Sequence, residues 1–91
     1  MKYRLVIKDE AKFDLWRIEQ YLRDNGFDEN IADKILDKIE DTLLKYPTVG
    51  EIVDDNVRKI IVLRKNVVYY EVIDNKVFVL VIRAGGMSKE I

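Results

Sequence analysis

The chain has 91 residues, and 16 Lys plus Arg against 17 Asp plus Glu leave a formal charge of −1, which excludes a generally basic nucleic-acid coat and any global attraction to a membrane. At 48% hydrophobic and 36% charged it is too apolar to be disordered, yet at this length it can hold only one thin core, burying about 60–65% of its unfolded surface. It has no Cys and no His, so disulfides, thiol nucleophiles, zinc ribbons and imidazole bases are all excluded.

The N-terminal run is too short and too charged for a signal peptide, and nothing approaches the ~18 apolar residues of a membrane span. A cytoplasmic protein folded as one domain over residues 1–91 is expected. Tyr3 to Ile7 predicts a short strand. Asp9 then suits an N-cap, its carboxylate accepting from an orphaned amide. Ala11, Leu15, Ile18 and Leu22 fall on one stripe of an amphipathic helix, which Asn25-Gly26 ends through the left-handed freedom of glycine. Asp28 is placed to cap a second helix, in which Ala32, Ile35, Leu36, Ile39 and Leu43 form the apolar face. Pro47 cannot continue it. The two helices form an antiparallel hairpin.

A polar loop through Gly50 and Asp54-Asp55-Asn56 follows, after which the period changes to two. Val57–Arg64, Val67–Ile73 and Lys76–Arg83 are rich in β-branched residues and predict three strands joined by two-residue turns at Lys65-Asn66 and Asp74-Asn75. The fold class is α+β with order β-α-α-β-β-β: a helix hairpin packed on an antiparallel sheet with a three-stranded meander. Residues 84–91, which include Gly85-Gly86, are expected to be a flexible tail.

Those turns predict a register. Ile61, Leu63, Val68, Tyr70, Val77, Val79 and Val81 share one face, which the helices should cover. The other face holds Arg58, Ile60, Val62, Arg64, Val67, Tyr69, Glu71, Ile73, Phe78, Leu80 and Ile82. It too is mostly apolar, and a sheet apolar on both faces needs cover on both. One helix pair cannot supply it, so either a partner must, or the tail or a twist of the sheet within the monomer. Charge is divided as well: residues 1–56 carry nine basic and fourteen acidic side chains, residues 57–91 seven basic and three acidic. That asymmetry suits an interaction surface or simply reflects helix and strand composition. Trp16 lies beside the helix stripe and is expected to pack partly. Asp33, Asp37, Glu40 and Asp41 crowd the second helix, but helical spacing cannot converge enough oxygens for a hard cation. No metal or cofactor is expected.

The order of these patterns resembles the RelE/ParE superfamily of toxins from bacterial toxin–antitoxin systems. The matching residues are Ala11…Asp14-Leu15…Ile18…Tyr21-Leu22, Ala32…Ile39…Leu43…Pro47…Gly50, Val57-Arg58-Lys59, Val68-Tyr69-Tyr70-Glu71-Val72 and Val77-Phe78-Val79-Leu80-Val81-Ile82. RelE-like members cut messenger RNA on the ribosome with basic residues on the open sheet face and a residue near the C-terminus, chemistry that needs cations for the scissile phosphate and a base for the 2′-hydroxyl. ParE-like members lack that set and inhibit DNA gyrase. Anchored on Tyr70-Glu71-Val72-Ile73-Asp74-Asn75-Lys76-Val77, the lysine positions of the nucleases fall on Ile60 and Val62. Their strand arginine falls on Val67, and their last basic residue falls near Met87.

The resemblance therefore implies a ParE-like toxin that inhibits gyrase by binding, with no catalytic residues. It would be neutralised by an antitoxin whose acidic amphipathic segment folds onto it in a hetero-oligomer. A RelE-like nuclease and a non-toxic antitoxin-binding member are the alternatives. The expected antitoxin contacts are Tyr69, Phe78, Leu80 and Ile82, with Arg58 and Arg64 facing acids. The expected target contacts are Arg83 and Lys89, although alternation turns Arg83 toward the helices unless a bulge re-aims it. Direct nucleic-acid binding is not expected.

Overall fold

Strand β1 (Arg4–Ile7) leads into helix α1 (Asp9–Asp24) and helix α2 (Ile31–Lys45), and strands β2 (Glu51–Asp54), β3 (Val57–Val62), β4 (Asn66–Ile73) and β5 (Lys76–Ala84) complete the order. The computed structural model describes residues 2–26 and 30–84. Asp28, expected to cap α2, and residues 85–91 of the expected tail lie outside them, whereas Ala84, expected to begin that tail, is the last residue of β5. The architecture is the expected α+β one, two helices on one face of a sheet, with one strand more than the sequence pattern showed. The strands run β1-β5-β4-β3-β2. β1 is parallel to β5 and every other pair is antiparallel, so the sheet is mixed.

The helices form where the period requires. Ala11, Leu15 and Ile18 of α1 and Ile35, Ile39 and Leu43 of α2 are buried in one cluster with the sheet, while Leu22, Ala32 and Leu36 pack at its margin. Asp9 is the first helical residue rather than the cap: Lys8 holds the cap position without a side-chain bond, and Asp9 and Glu10 occupy the first turn. There they favour the positive end of the helix dipole. Gly26 takes φ 77°, and its amide donates to the Arg23 carbonyl at 3.1 Å, closing α1 as expected.

The register of β3 departs from expectation. Val62 pairs with Asn66, so the connection is the three residues Leu63-Arg64-Lys65, and the left-handed positions are Leu63 (φ 50°) and Arg64 (φ 79°). Asn66 is not a turn residue at all. It opens β4, and its buried amide donates back to the Val62 carbonyl at 3.2 Å. Ile61 therefore faces Val67 instead of Tyr70. A shift by an odd number of residues exchanges the faces of a strand, so Ile60 and Val62 go to the core while Ile61 is 61% exposed. Leu63, expected in the core, is an exposed turn residue.

A second exchange occurs in β5. Tyr69 pairs with Val81 and Tyr70 with Val79, leaving Leu80 as the extra residue of a bulge. Beyond it the alternation inverts, so Val81 joins the open face, and Ile82, expected there, is 2% exposed in the core. Two substitutions test the register. Val62→Ser removes a buried side chain and strands a hydroxyl, which costs roughly 2–3 kcal/mol, or about 8–20 °C in a domain of this size. Ile61→Ser should move the melting point by less than about 3 °C, the usual range for an exposed site. Equal losses in the two would contradict the register.

Candidate functional site

The rows of side chains across the open face follow from the register. Val6, Phe78, Glu71 and Val57 form one row. Val81, Tyr69, Lys59 and Glu51 form the next, and Arg83, Val67 and Ile61 the third. No described helix covers this face; apart from the exposed Ile61, Glu51 and Arg83, its members are half-buried by one another. It is an aromatic and aliphatic surface with a few charges set into it. Tyr69 and Phe78 stand where the sequence placed them, and the Lys8 ammonium lies 5.7 Å from the centroid of the Phe78 ring.

The other expected contact residues are distributed differently. Arg58 faces the helix side, where it pairs with Tyr70, and its guanidinium donates to the carbonyls of Thr48 at 3.0 Å and Gly50 at 2.8 Å. It serves the loop after α2 and is not on the open face. Arg64 is exposed in the β3–β4 turn, at the end of the sheet. Leu80 is the half-buried bulge residue, and Ile82 belongs to the core. Lys89 lies outside the described residues.

Arg83 is re-aimed by the bulge. β1 pairs with β5 only as far as Val79, so the rest of that edge has no strand beside it. Asp14 of α1 takes the strand's place. Its carboxylate, 1% exposed, accepts from the Ile82 amide at 2.8 Å and from the Arg83 guanidinium at 2.9 Å, and it also pairs with Arg17. A buried carboxylate is tolerated because its lone pairs are filled by charged and backbone donors. Glu10 stands 4.0 Å from Arg83 on the far side of a cleft of about 440 Å³ that Asp14, Arg17 and Ala84 also line. A carboxylate on the apolar stripe of α1 was a legible signal in the sequence, since residue 14 recurs with 11, 15 and 18.

No group of three or more metal-ligating side chains occurs among the described residues, and none of their helices is long and apolar enough to cross a membrane.

No protein-family model matches the sequence, and no curated protein matches it. Solved structures do. A chain of the toxin–antitoxin complex RelBE2 from Mycobacterium tuberculosis superposes with TM-score 0.70 at 14% identity, over 92% of this chain and 99% of that one. The solution structure of a conserved hypothetical protein, HP0894 from Helicobacter pylori, superposes with TM-score 0.58 at 18% identity, over 92% of this chain and 96% of that one. The fold is thus the RelE-type fold expected from the resemblance.

One buried contact ties the site's supporting loop to the sheet. The Tyr70 hydroxyl accepts from the Gly50 amide at 2.9 Å, and a Cβ at Gly50 would meet that hydroxyl at 2.5 Å. Burial pushes the Tyr70 hydroxyl above its ordinary pKa of 10.0, against the smaller opposing effects of the Gly50 hydrogen bond and Arg58. The folded state therefore holds this proton more tightly than the unfolded chain. Its stabilising effect is complete below pH 10 and is lost as pH rises through the folded value, at up to about 1.4 kcal/mol per pH unit. Tyr70→Phe should cost roughly 1 kcal/mol at pH 7 by unpairing the Gly50 amide and should flatten the loss of stability between pH 10 and 12. Urea melts across that range check it; identical alkaline slopes in the two proteins would contradict it.

Proposed function

We propose that this chain is the toxin of a toxin–antitoxin pair, that it inhibits DNA gyrase by binding, and that an antitoxin segment neutralises it on the open sheet face. The observation that supports binding over cleavage is the composition of that face. Val67, where the resemblance expects the nuclease arginine, is an apolar member of that face, and the expected lysine positions, Ile60 and Val62, are aliphatic and turn to the helix side, where Val62 is core and Ile60 packs against it. None of these three aliphatic side chains can stabilise a developing phosphate charge or take a proton.

An antitoxin partner is supported by the same face and by the toxin–antitoxin complex whose chain shares the fold. Covering what is still exposed of the half-buried Tyr69 and Phe78 offers roughly 1 kcal/mol each before ordering costs, and a segment that folds onto this surface also completes the sheet's second layer. An acid in that segment would meet Lys59, which stands on the open face beside Tyr69.

Those same residues favour one second reading. Lys59 and Tyr69 are paired across two strands and Arg83 is held by Asp14 in the next row, so a cation, a phenol and a second cation share a surface. That arrangement suits an endoribonuclease with an unusual basic set.

Two assays on the purified chain decide. Gyrase supercoiling should be inhibited at near-stoichiometric chain, ribosome-bound mRNA should stay intact, and Tyr69→Phe should change neither result by more than about twofold. Cleaved mRNA with a loss of about 100-fold or more in Tyr69→Phe would establish the second reading. Activity in neither assay would leave a non-toxic antitoxin-binding protein.

A further inference from the structure

The outer side of α1 carries an aromatic surface that the open sheet face does not account for. Phe13 is 54% exposed and Trp16 53% exposed, and their rings stack with centroids 5.7 Å apart at an interplanar angle of 14°. The Arg17 guanidinium lies 5.0 Å from the Phe13 centroid. Arg17 also reaches Asp14 from one carboxylate oxygen while Arg83 holds the other. The stacked rings are thus continuous, through Arg17, with the cleft at the free edge of β5.

Exposed Phe and Trp beside Arg have the composition of a protein-binding hot spot, in which aromatic and Arg anchors carry most of the energy. Nothing in the fold requires the rings to be outside: the α1 stripe that packs on the sheet is Ala11, Leu15 and Ile18. The charges identify the partner further. Asp14 is buried and shared by two arginines, so the accessible charges at the rings are Lys12, Arg17 and Arg83, with Glu10 at the rim. They complement one or two carboxylates. They do not form a basic track, because Asp9 and Glu10 stand one turn before the rings and Glu19 and Asp24 after them, where a nucleic-acid backbone would be repelled.

We propose that Phe13, Trp16, Arg17 and Arg83 form the surface that engages the toxin's target protein, seating the two rings in an apolar pocket and pairing the arginines with an adjacent carboxylate. The inference rests on the reading that gyrase is the target. Phe13, Trp16 and Arg17 lie on the outer side of α1, and the surface reaches the open sheet face only at its margin, through Arg83 beside Val67, so the chain presents largely distinct surfaces to its two partners.

The test uses the purified full chain, with supercoiling by gyrase as the readout. Phe13→Ala/Trp16→Ala and Trp16→Glu should each raise the half-inhibiting concentration at least tenfold while melting within about 3 °C of the parent, as exposed sites do. Affinity for the antitoxin should change less than threefold. If the parent inhibits gyrase and both variants inhibit equally well, the surface is not the target contact and the proposed function stands. If the parent does not inhibit gyrase, the reading and this assignment fall together. A drop of more than 3 °C in both variants would make the rings part of the fold and overturn the inference. So would binding of a fluorescein-labelled 12-nucleotide oligouridylate that both variants abolish, which would assign the surface to nucleic acid.

Discussion

Two helices cover one face of a five-stranded sheet and cannot cover the other, and most of what distinguishes this chain follows from that. Both faces are built from Val, Ile, Tyr and Phe because the strands are rich in β-branched and aromatic residues throughout. On the helix side these residues are closed off from water: Val68, Tyr70, Val77 and Val79 are 0% exposed. On the other side Tyr69, Val67 and Phe78 are only half-buried, by one another. A domain this small has little spare stability with which to leave such a face wet. A partner that completes the layer stabilises the fold and gains binding energy through the same contacts.

The second organising element is the Asp14 carboxylate at the incomplete edge of β5. An unpaired edge in an apolar strand invites association with another chain, and here a helix side chain supplies the acceptor that a neighbouring strand would otherwise provide. The same carboxylate fixes two guanidiniums whose side chains are about half exposed. Structure and the proposed recognition surface therefore meet at one residue: the group that seals the edge also holds Arg17 beside the aromatic stack and Arg83 at the margin of the open face.

Much of this was legible in the sequence, and the parts that were not have definite causes. The helices and their buried stripes follow from a 3.6-residue period, and Gly26 and Pro47 mark their ends as their backbone preferences require. Strand β2 was invisible because Glu51–Asp54 is an edge strand with every residue exposed, so no alternation betrays it. The β3 register was misread because Asn66, a natural turn former, is not in the turn, while Leu63 and Arg64 adopt left-handed conformations that their side chains do not advertise. The bulge at Leu80 interrupts a run, Val77 to Ile82, in which every residue is apolar, so the pattern is the same whichever residue is extra. Tyr69 and Phe78 were placed correctly because the Asp74-Asn75 turn, with Asp74 at φ 56°, is the expected one. Trp16, expected to pack partly beside the helix stripe, is 53% exposed, and its stacking on Phe13 has no signature in the periodicity of α1.

The open sheet face is proposed as a partner's seat and not as part of a self-sufficient core. Hydroxyl-radical footprinting of side chains, on the chain alone and with the proposed antitoxin bound, reads this directly. Tyr69, Phe78 and Ile61 should be oxidised readily in the free chain and lose at least about three-quarters of that reactivity in the complex, while Phe13 and Trp16 stay reactive in both. Unchanged oxidation of Tyr69, Phe78 and Ile61 in a saturated complex would contradict it.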